Sequence, residues 1–576
     1  MIQYTLRPLA LPHSYEVSLT LTPISDTVLL KMANWTSGSY LIRDYVANVH
    51  SLTSSRGTLE QLNKNTWRIR NVVAGEALTI RWTAFAYSTR IHDAYLDQDY
   101  GFINPPAVFL FSEDHDAHEV YLQIDTDMTV HSTATHDSVR NLWRSPNLER
   151  FLDTPITLTR DSSHVQLIDF TTHGIAHRMV ITGAPALALD RIRADLIRIC
   201  ETTIAFWGGA PFTHYLFHTH LGPGLYNGLE HPDSCVLQKE VGDLPGAHET
   251  VPPSGYADFL ALVAHEYFHA WLVKFLRPAV LLPYPLTGSE VHTETLWVFE
   301  GFTTYYEYVI LRRAGLISPE EFTEMLSGTL NRVRAQEGFW VEALSEASFN
   351  AWTQLYKSTA DSPYHQVSYY GKGAWLALLI DAYLRANGEA IRSLDDVLQR
   401  WFLGAVEGSL PRGLAEGGFS QLLYALGCKE LAELVDALTL EQDNALWQHL
   451  EEQSLRAIGL IWYHEPDSTL MECCALKLKT GASDAFPVVA YTRRDGSAYL
   501  AGLFAEDVIV AIDHVKTSNA LIERQCQQRV GSSVPVHFFR HGILHETELS
   551  IPSLRRPVNG RLLYSWTPLG QAWLGN

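Results

Sequence analysis

The stretch from Asp258 to Phe275, DFLALVAHEYFHAWLVKF, carries His265, Glu266 and His269 as an intact H-E-x-x-H. Phe259, Leu262, Val263, Leu272 and Phe275 recur around it at helical spacing, and Pro252, Pro253 and Ser254 precede it as a helix start. On a helix, positions i and i+4 share one face, so two imidazoles at this spacing can point at one metal ion. Glu266 lies about 100° round the helix from His265, within reach of a water on that ion. Zinc suits such donors, since it takes His nitrogens and a carboxylate and keeps a fourth position open when it is catalytic. It also lowers the pKa of a water ligand to about 7. An amphipathic helix with core histidines would give the same five residues, so the reading leans on a third ligand. The second helix-like stretch, HTETLWVFEGFTTYYEYVILRRAGL, offers Glu294, Glu300 and Glu307. Glu300 sits among Trp297, Val298, Phe299 and Phe302, where a carboxylate is costly unless paired or bound to metal. Glu294 and Glu307 have more polar neighbours, so Glu300 is the expected ligand.

Three further segments hold candidate chemistry. GPGLYNGLEHPDS brings Gly222, Gly224 and Gly228 close to Glu230. Those glycines imply tight turns or a close backbone approach. A carboxylate beside them can meet an amino group by charge-assisted hydrogen bonds, or simply face water in a loop. In QVSYYGKGAW, Tyr369 and Tyr370 precede Gly371-Lys372-Gly373 and a helix. A tyrosine hydroxyl there can donate to an oxyanion, and an aromatic pair packed at a helix start explains the spacing equally well. His218 and His220 form an H-x-H on the strand HYLFHTHL, together with His214; half-buried strand histidines are the favoured reading.

These segments need a scaffold, and the rest of the chain describes one. At 576 residues it should hold three or four domains, and it reads as a multidomain α+β protein. Residues 1–170 run strand after strand, as in SYEVSLTLTPI, TVLLKMANW, ALTIRWTAFAY and HVQLIDFTTH, and are expected to form an N-terminal β-sandwich. Within them NWTSGSYLIRDY (34–45) reads as a loop pinned by Trp35 and Tyr40. Residues 171–455 are expected to form the catalytic domain, helical from about 290. Residues 456–556 return to a β texture, and 557–576 form a tail. A net charge of −21 argues against a nucleic-acid partner, which wants a basic footprint. Six scattered cysteines without C-x-x-C read as free thiols in a reducing compartment. With no signal-like N-terminus and no long apolar run, the expectation is a cytoplasmic chain with no membrane partner and an idle glycosylation acceptor at Asn34.

Taken together, His265-Glu266-x-x-His269 followed by Trp297-x-x-Glu300-Gly301 resembles a gluzincin zinc metallopeptidase. Gly228-Leu229-Glu230-His231 is similar to the amine-binding stretch of aminopeptidase-N-like enzymes. Ser368-Tyr369-Tyr370-x-Lys372-Gly373 is similar to their tyrosine motif. Gly496-Ser497-Ala498, Ala501-Gly502-Leu503 and Asp507-Val508-Ile509 look like a PDZ domain. The joint pattern resembles the PDZ-bearing glycyl aminopeptidase family over nearly the whole chain. The resemblance implies a thermolysin-like catalytic domain at 171–455, with one Zn2+ held by His265, His269 and Glu300. It implies Glu266 as general base, Tyr370 in preference to Tyr369 as oxyanion donor, and Gly228, Leu229 and Glu230 at the substrate's free N-terminus. It also implies a preference for N-terminal glycine, with alanine accepted, and a PDZ domain at 456–556 able to take a peptide ligand. The chain departs from the pattern in a longer His269–Glu300 spacing, in His231 where relatives carry Asn, and in Ser37 where proline is expected. The rival readings are a zinc endopeptidase with PDZ-presented substrates and an inactive PDZ scaffold.

Overall fold

The computed structural model describes residues 2–160, 164–184, 186–388, 390–464, 474–553, 560–565 and 567–574. The chain forms two compact units. One comprises Met1–Thr295, Tyr306–Ile317 and Asp395–Phe419; the other comprises Leu296–Tyr305, Ser318–Leu394 and Ser420–Asn576.

The first unit begins β-rich, as the alternating sequence requires. In Ile2–Leu9 the residues Ile2, Tyr4 and Leu6 point inward, and they meet Leu21, Leu19 and Val17 of Ser14–Leu21 in antiparallel register. These two strands lie inside a seven-stranded sheet ordered Thr135–Asp137, Leu142–Ser145, Val120–Ile124, Ile2–Leu9, Ser14–Leu21, Leu78–Phe85, Val49–Ser54. Smaller sheets of four and three strands complete this part. Asn34 is buried and donates through Nδ2 to the carbonyls of Thr287 and Gly288, so its amide is committed within the fold.

The strand Val165–Thr172, expected to close the N-terminal region, instead pairs along its whole length with Ile175–Thr182. It opens a second, mixed five-stranded sheet ordered Val165–Thr172, Ile175–Thr182, His214–Leu221, Ser234–Lys239, Asn227–His231. The helix Leu189–Trp207 connects the parallel pair Ile175–Thr182 and His214–Leu221. Asn227–His231 is the antiparallel edge strand. The motif helix Tyr256–Phe268 is anchored to this sheet by Tyr267. Its hydroxyl donates to His177 Nε2 at 2.9 Å, and its ring packs among Phe212, Tyr215, Phe217 and Trp271.

In the second unit the expected continuous helix over 292–316 begins later. Trp297–Gly301 is a π-helical turn, and the α-helix proper is Phe302–Arg313, whose residues from Tyr306 onward belong to the first unit. Pro319–Arg334 carries a capping box of Ser318 and Glu321, and Tyr369–Asn387 is a long buried helix. Farther along, Val515–Lys516, Val508–Ile512, Ser532–Arg540 and Ile543–Ile551 form a four-stranded sheet around a core of Val489, Leu503, Ile509, Val536, Phe538 and Leu549. Leu460–His464 pairs instead with Gly560–Tyr564, outside that sheet. The tail helix Pro568–Leu574 buries Trp573, whose Nε1 donates to Tyr305 Oη at 2.8 Å.

Candidate metal centre

His265 lies in the last turn of Tyr256–Phe268, and His269 occupies its C-cap with helical backbone angles, φ −62 and ψ −19. The 3.6-residue turn therefore brings both rings to one side, with their Nε2 atoms 3.0 Å apart. Each ring is oriented from behind. His265 Nδ1–H donates to Glu307 Oε2 at 2.6 Å, and His269 Nδ1–H donates to the Leu272 carbonyl at 2.9 Å. Those bonds fix the tautomer that leaves a lone pair on each Nε2, the arrangement metal-binding imidazoles require. Ligand atoms of His265, His269 and Glu300 lie within 4.8 Å of one another. Two imidazole nitrogens and a carboxylate oxygen are a zinc donor set. Two nitrogens on one tetrahedral zinc stand about 3.4 Å apart, close to the spacing here. Among the described residues no other group of three His, Cys, Asp or Glu side chains has this convergence.

Glu300 sits in the π-helical turn, a form often found at functional sites. Its 2% exposure fits a carboxylate held for a purpose. The turn can pack directly on the helix Tyr369–Asn387 because both sides are glycine. A Cβ at Gly301 would lie 2.5 Å from Gly373 Cα, and one at Gly373 would lie 2.8 Å from the Trp297 carbonyl. Tyr370 stands at the start of that helix, half-buried, with its hydroxyl 3.5 Å from Tyr356 Oη. Burial first, and then the Glu300 charge, hold the Tyr370 hydroxyl well above the usual phenol range, so it remains a proton donor at neutral pH. Tyr369 is wholly buried.

Glu266 is 4% exposed, and the edge strand Asn227–His231 runs across it. A Cβ at Gly228 would fall 1.9 Å from Glu266 Oε1, so a side chain there would have to push the Glu266 carboxylate aside. By strand alternation Glu230 shares the Gly228 face. Leu229 faces the other way, into a small core with Ile91, Phe102 and Val236, so it offers that face backbone only. Glu230 is 4% exposed, and its Oε1 has no hydrogen-bond partner among the described residues. The loop expected to be merely structural closes over it. Gly38 has φ +85, and a Cβ there would lie 2.3 Å from Glu230 Oε1. Next to it, Ser37 Oγ–H donates to Asp153 Oδ1 at 2.8 Å. Asp153 also accepts from His231 Nδ1 at 2.7 Å and from Lys274 Nζ at 3.0 Å. Burial would raise the Asp153 carboxyl, but Lys274 and His231 hold it well below the usual range.

Sequence reasoning missed Gly38, Asp153, Lys274 and Tyr356, and it named Glu307 and Ser37 without the roles they have here, orienting His265 and donating to Asp153. A signal existed for Gly38 in the turn-like T-S-G-S, and for Glu307 in its helical spacing. Asp153 and Lys274 carry none, since only folding brings them together. The histidines 218 and 220 are held by Thr157 and Thr182 respectively, at 2.7 Å and 2.9 Å. Cys200, Cys235, Cys428, Cys474 and Cys526 are free thiols, and Cys473 lies outside the described residues. No described helix is long and apolar enough to cross a membrane.

The family model of the M61 glycyl aminopeptidases matches residues 258–376, and that of the peptidase M61 N-terminal domain matches residues 3–160. A crystal structure of an aminopeptidase N family protein from Idiomarina loihiensis is similar to the chain at 28% identity and a TM-score of 0.92, covering 100% of each. An M1 zinc metallopeptidase from Deinococcus radiodurans is 13% identical at a TM-score of 0.45, over 76% of this chain and 92% of that one. Legionella pneumophila aminopeptidase A, solved in complex with aspartic acid, is 13% identical at a TM-score of 0.46, over 96% of this chain and 57% of that one. No curated protein sequence matches the chain.

Proposed function

Because the chain belongs to the M61 glycyl aminopeptidase family, we propose that it is a zinc-dependent aminopeptidase that removes N-terminal glycine, and alanine, from peptides. His265, His269 and Glu300 would hold one Zn2+, their buried N, N, O donor set being what that ion takes. When bound, zinc supplies a Lewis acid and a water acidified to near neutrality. Glu266 takes the proton of the attacking water and returns it to the leaving amine. Tyr370 donates its hydroxyl proton in a hydrogen bond to the oxygen that gains charge at the attacked carbonyl. Tyr369, being wholly buried, is the weaker choice. Glu307 and the Leu272 carbonyl hold the two imidazoles in orientation.

The observation that carries the aminopeptidase reading is Glu230. A buried carboxylate oxygen with no hydrogen-bond partner among the described residues calls for a donor, and a peptide's free α-amino group supplies a charged one. The backbone at Gly38 and Gly228 stands close to the two carboxylates, which favours a first residue with little or no side chain. On this reading the strands up to Thr159 form a β-sandwich, a thermolysin-like catalytic domain begins at Val165 and runs to about 455, and the four-stranded sheet ending at Ile551 is the centre of a PDZ domain that takes a peptide strand beside it. The compartment is the cytoplasm, in keeping with five free, mostly buried thiols.

The test compares glycyl-, alanyl- and leucyl-anilides with their N-acetylated forms, with and without a chelator. Cleavage confined to free-amine substrates, fastest for glycine and abolished by chelation, is expected. Equal rates on free and blocked substrates would transfer the reading to an endopeptidase. A chain that binds no zinc would leave the scaffold.

A further inference from the structure

Beside the loop that follows the motif helix lies a cavity of about 330 Å³, walled by Arg150, Lys274, Arg277 and Arg412 against the carboxylates of Glu149 and Asp153. On a chain of net charge −21 this is a local reversal of sign. The two carboxylates are already committed. Asp153 is taken by Lys274, His231 and Ser37, and Glu149 accepts from Arg277 Nη1 at 2.8 Å. Arg150 reaches out of the cavity through Nη2 to pair with Asp233. Its Nη1 is buried without an acceptor among the described residues, as is Arg277 Nε. Arg277 is 5% exposed and held rigidly, with Nη2 donating to the Lys274 carbonyl at 2.7 Å and its plane over Tyr284. Arg412 is exposed, lies on the Phe275 ring at 4.4 Å and donates Nε–H to the Phe275 carbonyl at 3.2 Å. Burial and then the Arg277 charge lower the Arg412 pKa, so these guanidiniums repel one another.

Buried guanidinium N–H groups without acceptors are costly, and their planar fork matches the geometry of phosphate and carboxylate. The volume lies within the roughly 300–1,000 Å³ of small-molecule sites. We propose that this cavity is a binding site for a small oxyanion, a phosphate or carboxylate group, held by Arg150, Arg277 and Arg412. Its three arginines are not among the residues assigned to catalysis, although its Asp153 and Lys274 also belong to the ring with Ser37 and His231, and the claim does not depend on the activity proposed above. The anion supplies the acceptors that Arg150 Nη1 and Arg277 Nε lack and screens the repulsion between Arg277 and Arg412.

The test is calorimetric titration of the full-length, zinc-loaded protein with inorganic phosphate and, separately, with acetate, at matched ionic strength. Saturable binding of either anion at one site per chain is expected, and which one binds identifies the group. Arg412→Gln, at an exposed position, should weaken that binding at least tenfold in a protein that still melts cooperatively, with the small loss of stability expected from its contacts to Phe275. Arg150→Gln should weaken it at least as much. Absence of saturable binding for both anions would overturn the proposal, as would binding left intact in both variants.

Discussion

At Glu230 the fold keeps a carboxylate oxygen almost wholly out of water, with no donor among the described residues. Such a group costs stability, and removing its charge should recover some of it. Glu230→Gln is therefore expected to leave the melting temperature unchanged or raised. It should lower kcat/KM on glycyl-anilide by roughly 10- to 150-fold, the equivalent of about 1.5–3 kcal/mol for a hydrogen bond to a charged group. Unchanged kcat/KM would remove Glu230 from substrate recognition. Glu266→Gln is expected to retain zinc while losing about 10²-fold or more in rate, the scale of a general base. Gly228→Ala makes a subtler probe. Its Cβ would stand 1.9 Å from Glu266 Oε1, so kcat should fall with zinc content intact. If kcat survives, the edge strand does not hold Glu266 in place.

Residue-level chemistry was partly legible in the sequence. His265, Glu266 and His269 announce themselves because helical spacing alone places them. Glu294, Glu300 and Glu307 could only be ranked by their neighbours, and Glu307 turned out to orient His265 rather than join the cluster of donors. Ser37 and His231 stood out only as departures from the family pattern, and the ring they form with Asp153 and Lys274 was invisible, because its members come from four distant stretches.

Among the elements, the motif helix depends on a neutral histidine. His177 Nδ1–H donates to the Ile175 carbonyl, and its Nε2 accepts from Tyr267, so both nitrogens are satisfied only in the uncharged ring. Burial lowers its pKa from 6.5 to about 4. Between those values the unfolded chain binds a proton that the folded chain does not, so this contribution to stability is present above about pH 6.5 and is lost as pH falls towards 4. Urea unfolding of wild type and His177→Gln across pH 7 to 4.5 should show a wild-type advantage that shrinks by up to about 1.4 kcal/mol per pH unit. A constant difference between the two would dismiss the histidine as the source. The glycine contact that seats the Glu300 turn is a second element-level demand. Gly301→Ala should destabilise by about 1–3 kcal/mol or more in thermal melts, because the nearest atom is backbone and cannot swing away. Sequence periodicity located both helices but not the π-helical turn, since one inserted residue leaves the apolar pattern of WVFEGF looking helical.

For the molecule as a whole, the β-rich start, the long helices and the late return to strands follow from hydrophobic alternation that shifts period along the chain. Boundaries were less legible. Val165–Thr172 reads like its predecessors yet pairs forward, and Leu460–His464 pairs with a strand near the C-terminus. Pairing partners are a matter of topology, which alternation does not encode.

The claim on which the rest depends is that His265, His269 and Glu300 bind one zinc ion. Elemental analysis of purified wild type, Glu300→Ala and Glu307→Ala after zinc reconstitution and dialysis addresses it directly. One zinc per chain in wild type, loss in Glu300→Ala and weakened retention in Glu307→Ala is the expected result. Wild type without zinc, or Glu300→Ala with a full complement, would contradict the account.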